Sequence, residues 1–235
     1  MIARALAFKP IILILDEPVA GLDANSRRDL NETVEQISEN ITVLCSYHEA
    51  ANLPRNMNRL LCLADGHVTE SGPIPASSDA YGNHAVAGST PRASSPTVDA
   101  GHEATIIDVQ HADIWLDKHR ALADIVWQLM EGEHWQLTGP NGAGKSTTQK
   151  LLIGLLRDYQ GSVSVFGRDL RQWDNDYYER LGVSFEFPNH HLKLTALENL
   201  SYFRALYAGD TEDPRDLLDR VGLADRVGHR PGQLS

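Results

Sequence analysis

Apolar and polar residues alternate in blocks along this chain, and the block lengths predict a layered arrangement of strands and helices. Residues 11–15 read Ile-Ile-Leu-Ile-Leu, an unbroken branched run too short for a typical helix. Such a run predicts a strand covered on both faces, as in the middle of a parallel sheet. Between residues 26 and 40, Leu30, Val34 and Ile37 recur every three or four positions with polar residues between them. That spacing predicts an amphipathic helix. Residues 41–46, 59–63, 104–109 and 135–138 read as further strands, and residues 147–156 as a helix. Strand, helix and strand in succession predict an α/β fold with a mostly parallel sheet and flanking helices.

Composition changes this picture in one place. Residues 71–104 hold 4 Gly, 4 Pro, 6 Ser and 7 Ala with only four charges. A segment so poor in large apolar groups cannot offset its ordering entropy, and it reads as a flexible linker. The expected organisation is therefore a folded piece at 1–70, a linker at 71–104 and a second folded piece at 105–235. No internal repeat is visible.

Charge narrows the function classes. The chain has 235 residues and a formal net charge of -11, with Lys and Arg outnumbered 21 to 32 by Asp and Glu. That balance argues against coating nucleic acid by phosphate neutralisation. No apolar run approaches the roughly 20 residues of a membrane span. The early apolar stretch, with Arg4 and Lys9, runs into Asp16 and Glu17 without a small-residue cleavage site, which argues against a secretory leader. Cys45 and Cys62 sit in apolar strand-like segments and suggest no disulfide framework, so a reducing, cytosolic setting is expected. The adjacent His190 and His191 lack the spacing of a transition-metal site.

The sharpest chemical signal is Gly139, Pro140, Asn141, Gly142, Ala143, Gly144, Lys145 and Ser146, which satisfies G-x-x-x-x-G-K-[ST] between an expected strand and an expected helix. Its glycines let backbone N–H groups converge on a phosphate. The helix start contributes the positive end of its dipole. Lys145 supplies a point charge for the β- and γ-phosphates, Ser146 a hydroxyl for Mg²⁺, and Thr147 assists at the helix start.

Asp16 and Glu17 close the apolar run at 11–15. Two carboxylates at the end of a buried strand are costly unless a cation or a reaction uses them. Asp16 suits a Mg²⁺ ligand, and Glu17 suits a base for attacking water.

These motifs together resemble the ATP-binding-cassette (ABC) ATPases. Residues 139–146 resemble the family's Walker A loop, and residues 16–23, ending at Asp23, its Walker B strand end and D-loop. The resemblance implies a P-loop cassette that binds ATP with Mg²⁺. It places the switch histidine at His48, 31 residues after Glu17, and the Q-loop position at Glu186, where the family usually has Gln and where a carboxylate would serve as a third Mg²⁺ ligand beside Asp16 and Ser146. Trp115 takes the position of an aromatic that stacks on adenine. Leu234 and Ser235 look like the opening of the signature motif.

The motif order is permuted relative to the family, because the Walker B half precedes the Walker A half. Two origins fit: the middle of a tandem two-cassette protein, weakly similar to molybdate-type tandem proteins, or a circularly permuted cassette. In either case the resemblance implies that strand 41–46 lies between the Walker A and Walker B strands. Asp16 should then lie within about 17 Å of Lys145, one domain radius.

Three functions stay open. The first is a peripheral ATPase subunit on the cytoplasmic face of a membrane, paired with separate transmembrane permease subunits and a second cassette. The second is a soluble tandem ATPase acting on ribosomes or DNA, although direct nucleic-acid contact is not expected from the charge. The third is a nucleotide-binding fragment without turnover. Because the signature glycines are missing after Ser235, the isolated chain is expected to bind ATP and hydrolyse it slowly.

Overall fold

The computed structural model describes residues 2–47, 53–74, 104–185, 190–206 and 211–233. Its main sheet has six strands in the order β10-β1-β2-β7-β3-β4. These are β1 (Ile12–Leu15), β2 (Thr42–Ser46), β3 (Arg59–Ala64), β4 (His67–Pro73), β7 (His134–Thr138) and β10 (Leu181–Ser184). Every pairing in it is parallel except β3 with β4. A second sheet, order β6-β5-β8-β9, is antiparallel throughout. It comprises β5 (Thr105–Leu116), β6 (His119–Met130), β8 (Gln160–Val165) and β9 (Arg168–Asp169).

The uninterrupted apolar run of β1 has a simple cause: both of its faces are covered. Ile12 and Ile14 join a core shared with Trp135, Leu137, Leu151 and the second sheet. Leu13 and Leu15 face the other way, into a core closed by α1 (Ile2–Ala5), α2 (Ala24–Ile37), α5 (Ala196–Ala205) and α6 (Pro214–Arg220). All four residues are at most 1% exposed. Burying each such side chain stabilises the fold by about 1.5–3 kcal/mol.

The two folded segments build one sheet between them. β2, from the first segment, pairs with β1 on one side and with β7, from the second segment, on the other. β7 in turn pairs with β3 of the first segment. Strand 41–46 thus lies between the strands leading to Asp16 and to the glycine-rich loop. Polar bonds reinforce the join: Gly132 N–H donates to Thr42 Oγ1 at 2.9 Å, and His134 N–H to Asn58 Oδ1 at 3.0 Å.

Several boundaries differ from the sequence expectation for local reasons. α2 begins at Ala24, not residue 26, because Asp23 caps it. It stops at Ile37 because the Ser38 hydroxyl folds back onto the Val34 and Glu35 carbonyls. α3 (Lys145–Leu152) begins two residues earlier than expected and ends before Gly154, which has a φ of 79°. The strand expected at 104–109 runs on to Leu116, and β6 follows where no strand was expected. Repeated register shifts between β5 and β6 break the two-residue alternation that would have announced them. The expected mostly parallel sheet therefore describes the six-stranded layer alone. β4 runs three residues into the stretch read as linker, and 75–103 lie outside the described residues. Among the described residues no helix is long and apolar enough to cross a membrane.

Leu44 lies on the central strand β2 and is 0% exposed. Leu44→Ala is expected to destabilise the protein by about 2–5 kcal/mol in urea unfolding. Leu155→Ala, at a position 55% exposed, should stay within about 0.5 kcal/mol of the parent.

Candidate nucleotide site

β7 delivers the glycine-rich loop at its carboxyl end, and α3 leaves from the loop's far side. Gly139 has a φ of 147°, and any Cβ there would collide with the Leu63 carbonyl oxygen. Gly144, the residue before α3, has a φ of 108°, and a Cβ there would press within 2.6 Å of Leu122 Cδ2. Both positions need glycine for conformation and for space. Within the loop, Ala143 N–H donates to the Pro140 carbonyl at 3.1 Å, and the Thr148 hydroxyl donates to the Gly144 carbonyl at 3.0 Å.

Lys145 folds back over this loop. Its Nζ donates to the Gly139 carbonyl at 2.8 Å and to the Pro140 carbonyl at 3.3 Å, and lies 4.0 Å from Glu17 Oε1. Its side chain is only 6% exposed. Burial holds the ammonium below its ordinary pKa of 10.5, and the Glu17 and Asp16 carboxylates oppose that shift. The loop thus keeps one desolvated cation between its own carbonyls and a carboxylate.

The carboxylates come from the end of β1, two strands away along the same edge of the sheet. The Ser146 hydroxyl donates to Asp16 Oδ1 at 3.5 Å, across 130 positions of sequence. The Ser46 hydroxyl donates to the same Oδ1 at 2.9 Å and accepts from Glu17 N–H at 2.8 Å. Asp16 N–H donates to the Ser184 carbonyl of β10 at 2.8 Å. Glu17 adopts a φ of 47°, a left-handed conformation unusual for a residue with a side chain. Asp16 and Ser146 together offer two hard oxygen donors, the type that Mg²⁺ takes alongside water and phosphate oxygens.

The expected site residues divide into three groups. Asp16, Glu17, Lys145 and Ser146 meet, with Gly139, Pro140, Asn141, Gly142, Ala143, Gly144 and Thr147 in the loop and first helical turn beside them. Asp23 and Trp115 stand in other settings. Asp23 caps α2, accepting from Asn25 N–H, Ser26 N–H and the Ser26 hydroxyl, which hold its carboxyl below the usual range. Trp115 is 42% exposed near the end of β5, with the Arg120 guanidinium 5.7 Å from its ring centre. His48, Glu186, Leu234 and Ser235 lie outside the described residues.

Three contributors carry no motif. Ser46 reads as the polar end of a strand. Gln149, 1% exposed on α3, donates to the Leu15 carbonyl at 3.0 Å and ties the helix to the strand bearing Asp16. The turn between β3 and β4 supports the loop from behind, since Gly66 N–H donates to the Ala143 carbonyl at 3.1 Å. Asp65 and Gly66 have φ values of 49° and 77°, the Asp-Gly signature of a tight hairpin, and that signal was readable in the sequence.

The model of the ABC transporter family matches residues 122–235. A fluoroquinolones export ATP-binding protein of Mycobacterium tuberculosis (strain CDC 1551 / Oshkosh) is 63% identical over 104 residues, covering 44% of this chain and 35% of the relative. The ABC transporter ATP-binding protein ModF of Escherichia coli (strain K12) is 28% identical over 193 residues, covering 72% of this chain and 36% of the relative. The chain thus spans about a third of the length of these curated relatives. An ATP-binding cassette solved as a dimer after hydrolysis, with ADP and phosphate bound, matches at 24% identity and a TM-score of 0.45, covering 55% of this chain and 63% of that one. The family match covers residues 122–235, the segment that carries the glycine-rich loop, and with these relatives it supports an ABC transporter nucleotide-binding domain there.

Proposed function

We propose that this chain binds Mg-ATP at residues 139–147 and hydrolyses it to energise a membrane transporter. The observation that carries this reading is the meeting of loop and carboxylates: Ser146 Oγ lies 3.5 Å from Asp16 Oδ1, and Lys145 Nζ lies 4.0 Å from Glu17. In this reading the loop N–H groups and Lys145 hold the phosphates, and Lys145 exchanges its carbonyl partners for phosphate oxygens. Asp16 and Ser146 hold Mg²⁺, which when bound neutralises phosphate charge and polarises the terminal phosphoryl group. Glu17 orients a water and accepts its proton, a contribution of about 10²–10⁴-fold in rate. His48 and Glu186 act at the γ-phosphate side, Trp115 stacks on adenine, and Asp23 serves at the contact with a second cassette.

Residues 1–70 and 105–235 are, on this reading, the Walker B and Walker A halves of a cassette joined through 71–104. The Escherichia coli relative aligns over 193 residues, more than either half contains, which supports the same order of halves in that protein and a tandem origin. Likeness to the mycobacterial export protein supports an export role. Permease subunits in the membrane then supply the pathway, and this chain sits against their cytoplasmic face.

Lys145→Ala deletes the cation facing the phosphates and is expected to remove most ATP affinity. Calorimetry showing parental affinity in that variant overturns the site assignment. Glu17→Gln should keep ATP binding while phosphate release falls by about 10²–10⁴-fold.

The buried ammonium also has a stability signature. Folding lowers the Lys145 pKa from 10.5, so between the lowered value and 10.5 the unfolded chain holds more protons. Stability contributed by this group therefore rises with pH across that window. The Lys145→Met variant lacks this rise. The stability difference between variant and parent, followed by urea unfolding from neutral pH upward, should move in the parent's favour as pH approaches 10.5. A pH-independent difference overturns the assignment of the shift to burial.

A further inference from the structure

We infer that Ser46 is a positioning residue for the cation-binding carboxylate, locking Asp16 and the backbone of Glu17 into one hydrogen-bonded unit; this rests on the nucleotide reading above.

The geometry accounts for every bonding position that matters. Ser46 is the last residue of β2 and is 0% exposed. A buried hydroxyl is costly unless it is bonded. Its single proton goes to Asp16 Oδ1 at 2.9 Å, and its lone pairs receive Glu17 N–H at 2.8 Å. The first bond fixes rotation of the Asp16 carboxylate and keeps Oδ1 turned toward the Ser146 hydroxyl, 3.5 Å away. The second gives a partner to the N–H of a residue held at a φ of 47°, where the chain has turned out of the sheet ladder. One hydroxyl thereby couples the direction of the Mg²⁺ ligand to the direction of the proposed base.

Placement explains why a strand residue can do this. β2 lies between β1 and β7, so its carboxyl end emerges between the strand that carries Asp16 and the strand that carries the loop. The preceding residues of β2, from Val43 to Cys45, are each 0% exposed and apolar, so the change to a hydroxyl coincides with the point where the strand reaches the carboxylates.

The test measures ATP affinity with Mg²⁺ and with EDTA, on the full chain. The parent should bind ATP more tightly with Mg²⁺. In Ser46→Ala that Mg²⁺ enhancement should fall about tenfold, the lower end for a lost hydrogen bond to a charged group. Affinity in EDTA should stay within about twofold, the usual additivity error. Ser46→Thr, which keeps the hydroxyl, should restore most of the enhancement. In an Asp16→Asn background, Ser46→Ala should add no further loss of enhancement.

Equal losses with Mg²⁺ and with EDTA would mark a merely structural role and overturn the inference, as would an undiminished enhancement in Ser46→Ala. If Ser46→Ala fails to fold, Ser46→Cys keeps the shape with a weak donor and is read against the same expectation. A parent whose ATP affinity ignores Mg²⁺ overturns the nucleotide reading itself, and the inference with it. A Mg²⁺-responsive parent with an unaffected Ser46→Ala variant sinks the inference alone.

Discussion

Parallel pairing of β2 with β1 and β7 is the constraint on which the site depends. Parallel strands send their carboxyl ends to the same edge of the sheet. Adjacent strands stand only about 4.8 Å apart. Asp16 leaves β1 at that edge, Ser46 ends β2 there, and the glycine-rich loop leaves β7 there. Residues 130 positions apart in sequence thus come within hydrogen-bond range. The cores on the two faces of the sheet hold this register, because a one-residue slip of β1 would exchange Ile12 and Ile14 with Leu13 and Leu15 between them.

Opposite charges gathered at this edge act on each other through protein as well as through water. Lys145 is buried and would lose its charge more readily than an exposed lysine, yet Glu17 and Asp16 favour keeping it. Two loop carbonyls complete its coordination. On the proposed reading, these are the contacts that an arriving polyphosphate replaces. The loop is therefore organised around a charge before any ligand supplies the opposite one.

The chemistry at this edge was more legible in the sequence than the architecture around it. The loop motif and the Asp16-Glu17 pair declare themselves because phosphate binding restricts residue identity at fixed spacing. β1 and β2 declare themselves because burial on both faces demands continuous apolar residues. Beyond the start of β5, the antiparallel layer was hidden for the opposite reason. β5 and β6 follow one another through repeated register shifts, so their polar and apolar positions lose a regular period. Ser46 and Gln149 were invisible because their roles depend on partners brought near only by sheet topology. Asp23 illustrates a residue with two readings, since its position suits a D-loop while its hydrogen bonds are those of a helix cap.

That β7 is wedged between β2 and β3 has a consequence for what holds the two segments together. The sheet is closed by hydrogen bonds between strands of the two segments. The strand edges, rather than the order in which the two segments follow one another, therefore define which strands become neighbours.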